Sequence, residues 1–314
     1  STAISVLEGL TNAGVNFSYA KGADVSVGPV DFTKEVAVNE TDKSGFAEAV
    51  ALARRSDVVV MVLGEHGFQS GEGRSRTQLD LPGVQQELLE AVQAVNKNIV
   101  LVMMNGRPLA ITWAAENVPA IVEAWQLGTQ TGNAIAEVLF GDYNPGGKLP
   151  ISFPRSVGQV PIYYNYYNTG RPGPKPDVFW SRYIDESNDP LYPFGYGLSY
   201  TTFAYSDLQI DDSDNENIKV RVTVTNTGSV AGEEVAQLYI HDRAASVVRP
   251  VKELKGFEKF SLEPGAAKTV EFTLTDAELG FYNGDGEFLV EPGVFDVMVG
   301  TSSQEGLTGT FELK

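Results

Sequence analysis

The sequence contains no cysteine. That excludes disulfides, cysteine-ligated zinc, iron–sulfur clusters and a thiol nucleophile. It does not fix the compartment, because exported proteins also lack cysteine. Histidine is nearly as scarce. The only two, His66 and His241, fall in different predicted domains, and no HExxH pair is present. Neither a metal site nor a cofactor is expected. Positive charge is short as well: 23 Lys and Arg stand against 41 Asp and Glu, a net charge of −18. Such a field repels phosphate backbones and anionic lipid, so neither nucleic acid nor membrane is an expected partner. No apolar run approaches the ~18 residues of a membrane span. The opening STAISVLEGL has no basic region and no methionine, so it does not read as a signal peptide. GxGxxG, GxxxxGK[ST] and GxSxG are all missing, which argues against dinucleotide, P-loop and serine-hydrolase chemistry.

What is present is a globular composition, 42% hydrophobic and 20% charged over 314 residues. At roughly 150 residues per domain this length suggests two domains. Over residues 1–150 helical and strand patterns alternate. Residues 3–13, 44–56, 83–96 and 131–140 have helical spacing, with Gly14 a cap after the first and Pro82 at the entry of the third. DVVVMVLG ends at Gly64, NIVLVMMNG ends at Gly106, and AIVEAW runs from Ala120 to Trp125. These β-branched runs suit parallel strands covered on both faces. Residues 15–20 (VNFSYA) read as a further short strand. The alternation predicts an α/β sandwich with right-handed crossovers. Residues 151–201, rich in Tyr, Pro and Gly, read as a segment wrapping another domain. From about Thr202 to residue 314 the period is two, as in KVRVTVTNTG. About seven short strands there predict an all-β sandwich of the fibronectin type III kind.

The loop after the first of these strands, GEHGFQSGEGRSRTQLDLPG from Gly64 to Gly83, is the richest in chemistry. Ligands of open α/β sheets sit beyond the carboxyl ends of strands, and this loop leaves from such an end. It carries Glu65 and Glu72 beside His66, Arg74 and Arg76. A carboxylic acid there suits general acid catalysis if burial raises its pKa. A solvated loop with Glu and Arg residues paired to one another is the plain alternative. Trp125, at a strand end, fits core packing or a sugar ring, and Trp180 fits ring stacking or interdomain packing.

Longer stretches carry a resemblance. SGEGRSRTQLDLPGVQ, VLVMMNGRPLAI, GNAIAEVLFGDYNPGGKLPISFPRSVGQVPIYYN, YPFGYGLSYTTF and VKELKGFEKFSLEPGAAKTVEFTLT stand collinearly in the chain. Together they are similar to glycoside hydrolase family 3, with bacterial periplasmic β-glucosidases among its members. The likeness covers the family's α/β sandwich and fibronectin type III-like parts. It implies a partner, the N-terminal (β/α)8 barrel that carries the nucleophilic Asp and has no counterpart here. It also implies an apolar strand ahead of residues 3–13, so that the sandwich domain is incomplete at its N-terminus.

The resemblance implies a retaining, exo-acting β-glycosidase of the β-glucosidase type, acting on terminal residues of oligosaccharides or on aryl β-glucosides. By motif Glu72 takes the role of acid/base, with Glu65 the alternative. Arg76 is placed to hold Glu72 or a substrate hydroxyl, and Phe68 and His66 to line the substrate side. The isolated chain is expected to be inactive. Periplasmic or secreted location and a homodimer are family-level expectations. The competing readings are a non-catalytic carbohydrate-binding or interaction protein and, behind it, a nucleotide-binding α/β domain.

Overall fold

The computed structural model describes residues 2–175 and 177–314. Three apolar runs form a parallel sheet: β1 (Val59–Gly64), β2 (Ile99–Met104) and β3 (Ala120–Glu123), in the order β1-β2-β3. Leu63 pairs with Met103, and Met103 with Glu123, so the three carboxyl ends lie level. The connecting helices are α1 (Val6–Asn12), α2 (Phe46–Ala53), α3 (Gln85–Gln93), α4 (Thr112–Asn117) and α5 (Thr131–Phe140). The first starts on a capping box. Ser5 Oγ accepts the Glu8 N–H at 3.2 Å, and the Glu8 carboxylate accepts the Ser5 N–H at 2.7 Å. α4 carries Trp113.

On one face of the sheet Val102, Ala124 and Ile135 are buried against Val6, Met104, Val122 and Leu139, so α1 and α5 cover β2 and β3. β1 differs. Met61 and Leu63 are buried on the opposite face, whereas Val58, Val60 and Val62 are 50%, 36% and 39% exposed. β1 is an edge strand. Residues 15–20, which read as a short strand, join no ladder among the described residues. A strand needs a neighbour that offers backbone donors and acceptors. Phe17 and Tyr19 remain exposed.

Period-two patterning dictates the second architecture. The strands are β4 (Phe203–Asp211), β5 (Ile218–Asn226), β6 (Gly232–Asp242), β7 (Glu253–Leu262) and β8 (Ala267–Leu274). After a short α6 (Asp276–Leu279) come β9 (Phe281–Tyr282), β10 (Phe288–Leu289), β11 (Gly293–Gly300) and β12 (Gly306–Leu313). They make two antiparallel sheets, β12-β11-β6-β7 and β4-β5-β8, and a small β9-β10 hairpin. Ile218, Val220, Val222 and Val224 all point inward from β5, the alternation expected of a sandwich strand. Phe295 and Phe311 stack across the core with ring centroids 5.0 Å apart. This is the all-β sandwich that KVRVTVTNTG and its neighbours predict.

By backbone contacts the chain forms two compact units. One holds the residues up to Tyr143 together with Pro154–Val160. The other holds Asn144–Phe153 and Pro161–Lys314. Within the second, Lys148 donates to the Glu234 carboxylate at 3.1 Å, and the Tyr205 hydroxyl donates to the same carboxylate at 3.1 Å. Glu234 is only 2% exposed, so these two donors satisfy a charge that would be costly unpaired. Trp180 carries the Lys175 ammonium 3.8 Å from its ring centroid.

Candidate active site

The ends of β1 and β2 are joined too closely for any side chain at Gly64. Its φ is +141°, and a Cβ there would stand 2.0 Å from the Met104 carbonyl oxygen. Gln85 of α3 closes the turn, donating from Nε2 to the Gly64 carbonyl and accepting the Gly64 N–H, both at 2.8 Å. Glu65 is thereby turned inward, with its own N–H donating to Met104 at 2.8 Å.

The Glu65 side chain is completely buried. Arg76 Nη1 donates to its Oε1 at 2.8 Å. Arg107 Nε lies 3.0 Å from Oε1 and 3.3 Å from Oε2, and the Gly106 N–H donates to Oε2 at 3.2 Å. Two guanidinium groups and an amide thus hold one carboxylate. The buried charge is paid for by pairing. Arg76 also donates to the Asp80 carbonyl at 3.1 Å. Arg107 reaches the carbonyls of Gln69 and, at 2.9 Å, Arg74.

From this base the loop rises. His66 caps the turn Gly67–Gln69, its Nδ1 accepting the Phe68 N–H at 3.0 Å. The Phe68 ring meets His66 and Phe32 edge-on, at 5.3 and 5.5 Å between centroids. The Arg74 guanidinium lies 5.4 Å from the Phe32 ring and 5.5 Å from that of Phe68, and donates to the backbone carbonyls of both. Phe32, Phe68 and Arg74 form one wall of an open groove of about 840 Å³. Residues 32–36, Val38 and 67–76 line it. Glu72 is exposed on this groove.

Phe68, Glu72 and Arg76 therefore share one groove, with Glu65 buried behind Arg76. Arg76 grips Glu65, not Glu72. Four residues of separation suggest contact with Glu72 only if the segment is helical, and it is not. His66 is engaged in capping the turn. Phe32 and Arg107 escaped the sequence reading. Phe32 comes from a polar loop with no periodicity. Arg107 had a usable signal, its place just beyond the carboxyl end of a parallel strand.

A second carboxylate sits at the end of β3. Glu123 accepts the Trp125 N–H at 3.0 Å and the Asn105 amide at 3.3 Å. Trp125 takes a left-handed φ of 47°, a conformation that this hydrogen bond helps to hold. Burial pushes the Glu123 carboxyl up to about 7, against the opposing pull of those two donors. The folded state therefore keeps a proton that the unfolded chain loses near the usual 4.5. Stability conferred at low pH should decline as pH rises from the unfolded value to about 7, by on the order of 3 kcal/mol, and then level off. Urea midpoints on either side of this window should show the decline in the wild type and much less of it in Glu123→Gln. An equal slope in both would assign the pH dependence elsewhere.

The fold and groove define a class: an α/β domain with an acidic loop beyond its strand ends, followed by a fibronectin-like sandwich. The comparisons agree. A family model described as the glycosyl hydrolase family 3 C-terminal domain matches residues 1–200. A fibronectin type III-like domain model matches residues 234–303. The chain belongs to glycoside hydrolase family 3. It is 49% identical to the periplasmic beta-glucosidase of Salmonella typhimurium over 99% of this chain and 42% of that protein. It is 46% identical to a beta-xylosidase of Formosa agariphila over 96% of this chain and 40% of that protein. Among solved structures, the beta-glucosidase of Listeria innocua in complex with isofagomine superposes with a TM-score of 0.88. It is 38% identical over 99% of this chain and 42% of that one. The chain spans about two fifths of the length of these relatives, in the family's C-terminal portion.

Proposed function

We propose that the chain supplies the general acid/base of a retaining, exo-acting β-glycosidase of the β-glucosidase type, with Glu72 as that group. One observation carries the reading. An exposed carboxylate stands on a groove beyond the carboxyl ends of a parallel sheet, on a loop whose base is locked by a buried Glu65, Arg76 and Arg107 cluster. Glu65 is a poor candidate, because its side chain is completely buried and its oxygens are held by Arg76, Arg107 and the Gly106 N–H. Retention of configuration needs a second carboxylate about 5–5.5 Å away across the glycosidic bond. That nucleophile belongs to an N-terminal (β/α)8 barrel portion of the same enzyme. In the first step Glu72 protonates the leaving oxygen. In the second it takes a proton from the water that releases the sugar. Phe68 and Phe32 offer apolar faces to the leaving group, with Arg74 stiffening them. Arg76 and His66 act on substrate through the loop they hold.

Relatives named for glucosidase and xylosidase activity support this substrate class, and the Salmonella relative's name supports export to the periplasm. Pairing as a homodimer extends the same reading. The test is direct. The 314 residues alone should leave an aryl β-glucoside intact, and the chain joined to its barrel portion should release the aglycone. Turnover by the isolated chain would overturn the division of labour. The second reading, a carbohydrate-binding protein, draws on Phe32, which is 69% exposed. Oligosaccharide affinity of the isolated chain, with no activity after joining, would favour it.

A further inference from the structure

Around Glu72 the loop closes on itself through one backbone hydrogen bond, from the Arg74 N–H to the Gly71 carbonyl at 3.2 Å, and the Arg74 side chain ties it to the Phe68 and Phe32 carbonyls. Gly71 and Gly73 flank the residue with φ of +127° and +69°, and a Cβ at Gly73 would meet nothing within 4 Å. A carboxylate on so open a turn needs an external fixture if it is to meet a leaving oxygen reproducibly. Arg107 is a side chain from outside the loop placed to provide it. Arg107 comes from the end of β2, on the rigid sheet. Its Nε is bound to the buried Glu65 carboxylate, and its Nη2 donates to the carbonyls of Gln69 and Arg74. Those carbonyls stand three residues before and two residues after Glu72. The next support is the neighbouring backbone. A Cβ at Gly106 would stand 2.2 Å from Ser70 Oγ, so the loop rests directly on this glycine.

We propose that Arg107 is the positioning residue for Glu72: its guanidinium couples the buried Glu65 carboxylate to the two loop carbonyls that bracket the acid. Glu65 then serves as the counter-charge that aims Arg107. The planar fork matters because one group must address a carboxylate and two carbonyls at once. A lysine keeps the charge but presents a single point. This inference rests on Glu72 being the acid/base.

The test compares Arg107→Lys with the wild type in the chain joined to its barrel portion. Two substrates are used, an alkyl β-glucoside with a poor leaving group and a dinitrophenyl β-glucoside with an activated one. A misplaced acid penalises the first substrate selectively, because only that leaving group needs the proton. The expected result is a loss of kcat/KM of about 10²-fold on the alkyl glucoside, the range in which general acid catalysis operates, with the activated substrate little changed. An equal loss on both, or no loss, would overturn the proposal and leave Arg107 a purely structural residue. Should Arg107→Lys fold poorly, Gly106→Ala displaces the same loop at Ser70 while leaving the guanidinium in place and should give the same split. Glu72→Ala, run beside them, separates the failures. If it shows the split and the other two do not, only the positioning role falls. If it shows none, the reading beneath it falls as well.

Discussion

Glu72→Ala, in the chain joined to its barrel portion, should lose about 10³-fold in kcat/KM on glucosides with poor leaving groups. On dinitrophenyl glucosides, formation of the glycosyl-enzyme should be nearly unaffected. The asymmetry follows from the chemistry. A dinitrophenolate leaves unaided, whereas an alkoxide needs a proton as the bond breaks. The second step should suffer with every substrate, since water must still be deprotonated. Bursts of aglycone followed by slow turnover are therefore expected from the activated substrate. Folding should not suffer, because Glu72 is exposed on the groove and Gly73 beside it stands in open space. A shift in unfolding free energy beyond about 0.5 kcal/mol would mark it instead as a structural residue.

Glu65 should behave in the opposite way. Its alanine variant leaves Arg76 and Arg107 facing each other across a buried space with no anion between them. Breaking a buried pair by removing one partner typically costs about 3–5 kcal/mol. The two arginines keep 20% and 19% exposure, so water relieves part of this and the lower end of that range is expected. Glu65→Gln, which retains one acceptor oxygen, should cost less. Chemical denaturation of both variants checks the ordering. Stability equal to that of the wild type in Glu65→Ala would mean that the cluster contributes nothing to holding the loop. Taken together, the two variants distinguish the carboxylates without reference to motif. One should fail in chemistry with its fold intact, the other in fold first.

Much of this was readable from residue order alone. β1, β2 and β3 announce themselves as apolar, β-branched runs ending at Gly64 and shortly before Gly106 and Trp125, although of the three only β2 is largely buried on both faces. The sandwich strands are equally plain, since period two follows from the pleat. The acidic loop stood out through its position at a strand end. What stayed hidden depended on distance along the chain. Arg107 lies 42 residues from Glu65, and no local pattern ties them. Phe32 reaches Phe68 from a loop of Asp, Thr and Lys. Residues 15–20 have the composition of a strand, but strand formation is a property of pairs.

The route of the backbone carries one more consequence. It passes from the first unit to the second after Tyr143, returns after Phe153 and leaves again after Val160. Each unit thus keeps a short ribbon whose neighbours in sequence belong to the other. A single protease nick between Asn144 and Val160 would strand one ribbon on the wrong fragment. Gene rearrangement meets the same obstacle, because no single junction transfers the fibronectin-like unit whole without also taking Pro154–Val160 from its neighbour. The two folds look like interchangeable modules, yet the thread between them is sewn in a backstitch, and no single cut separates them.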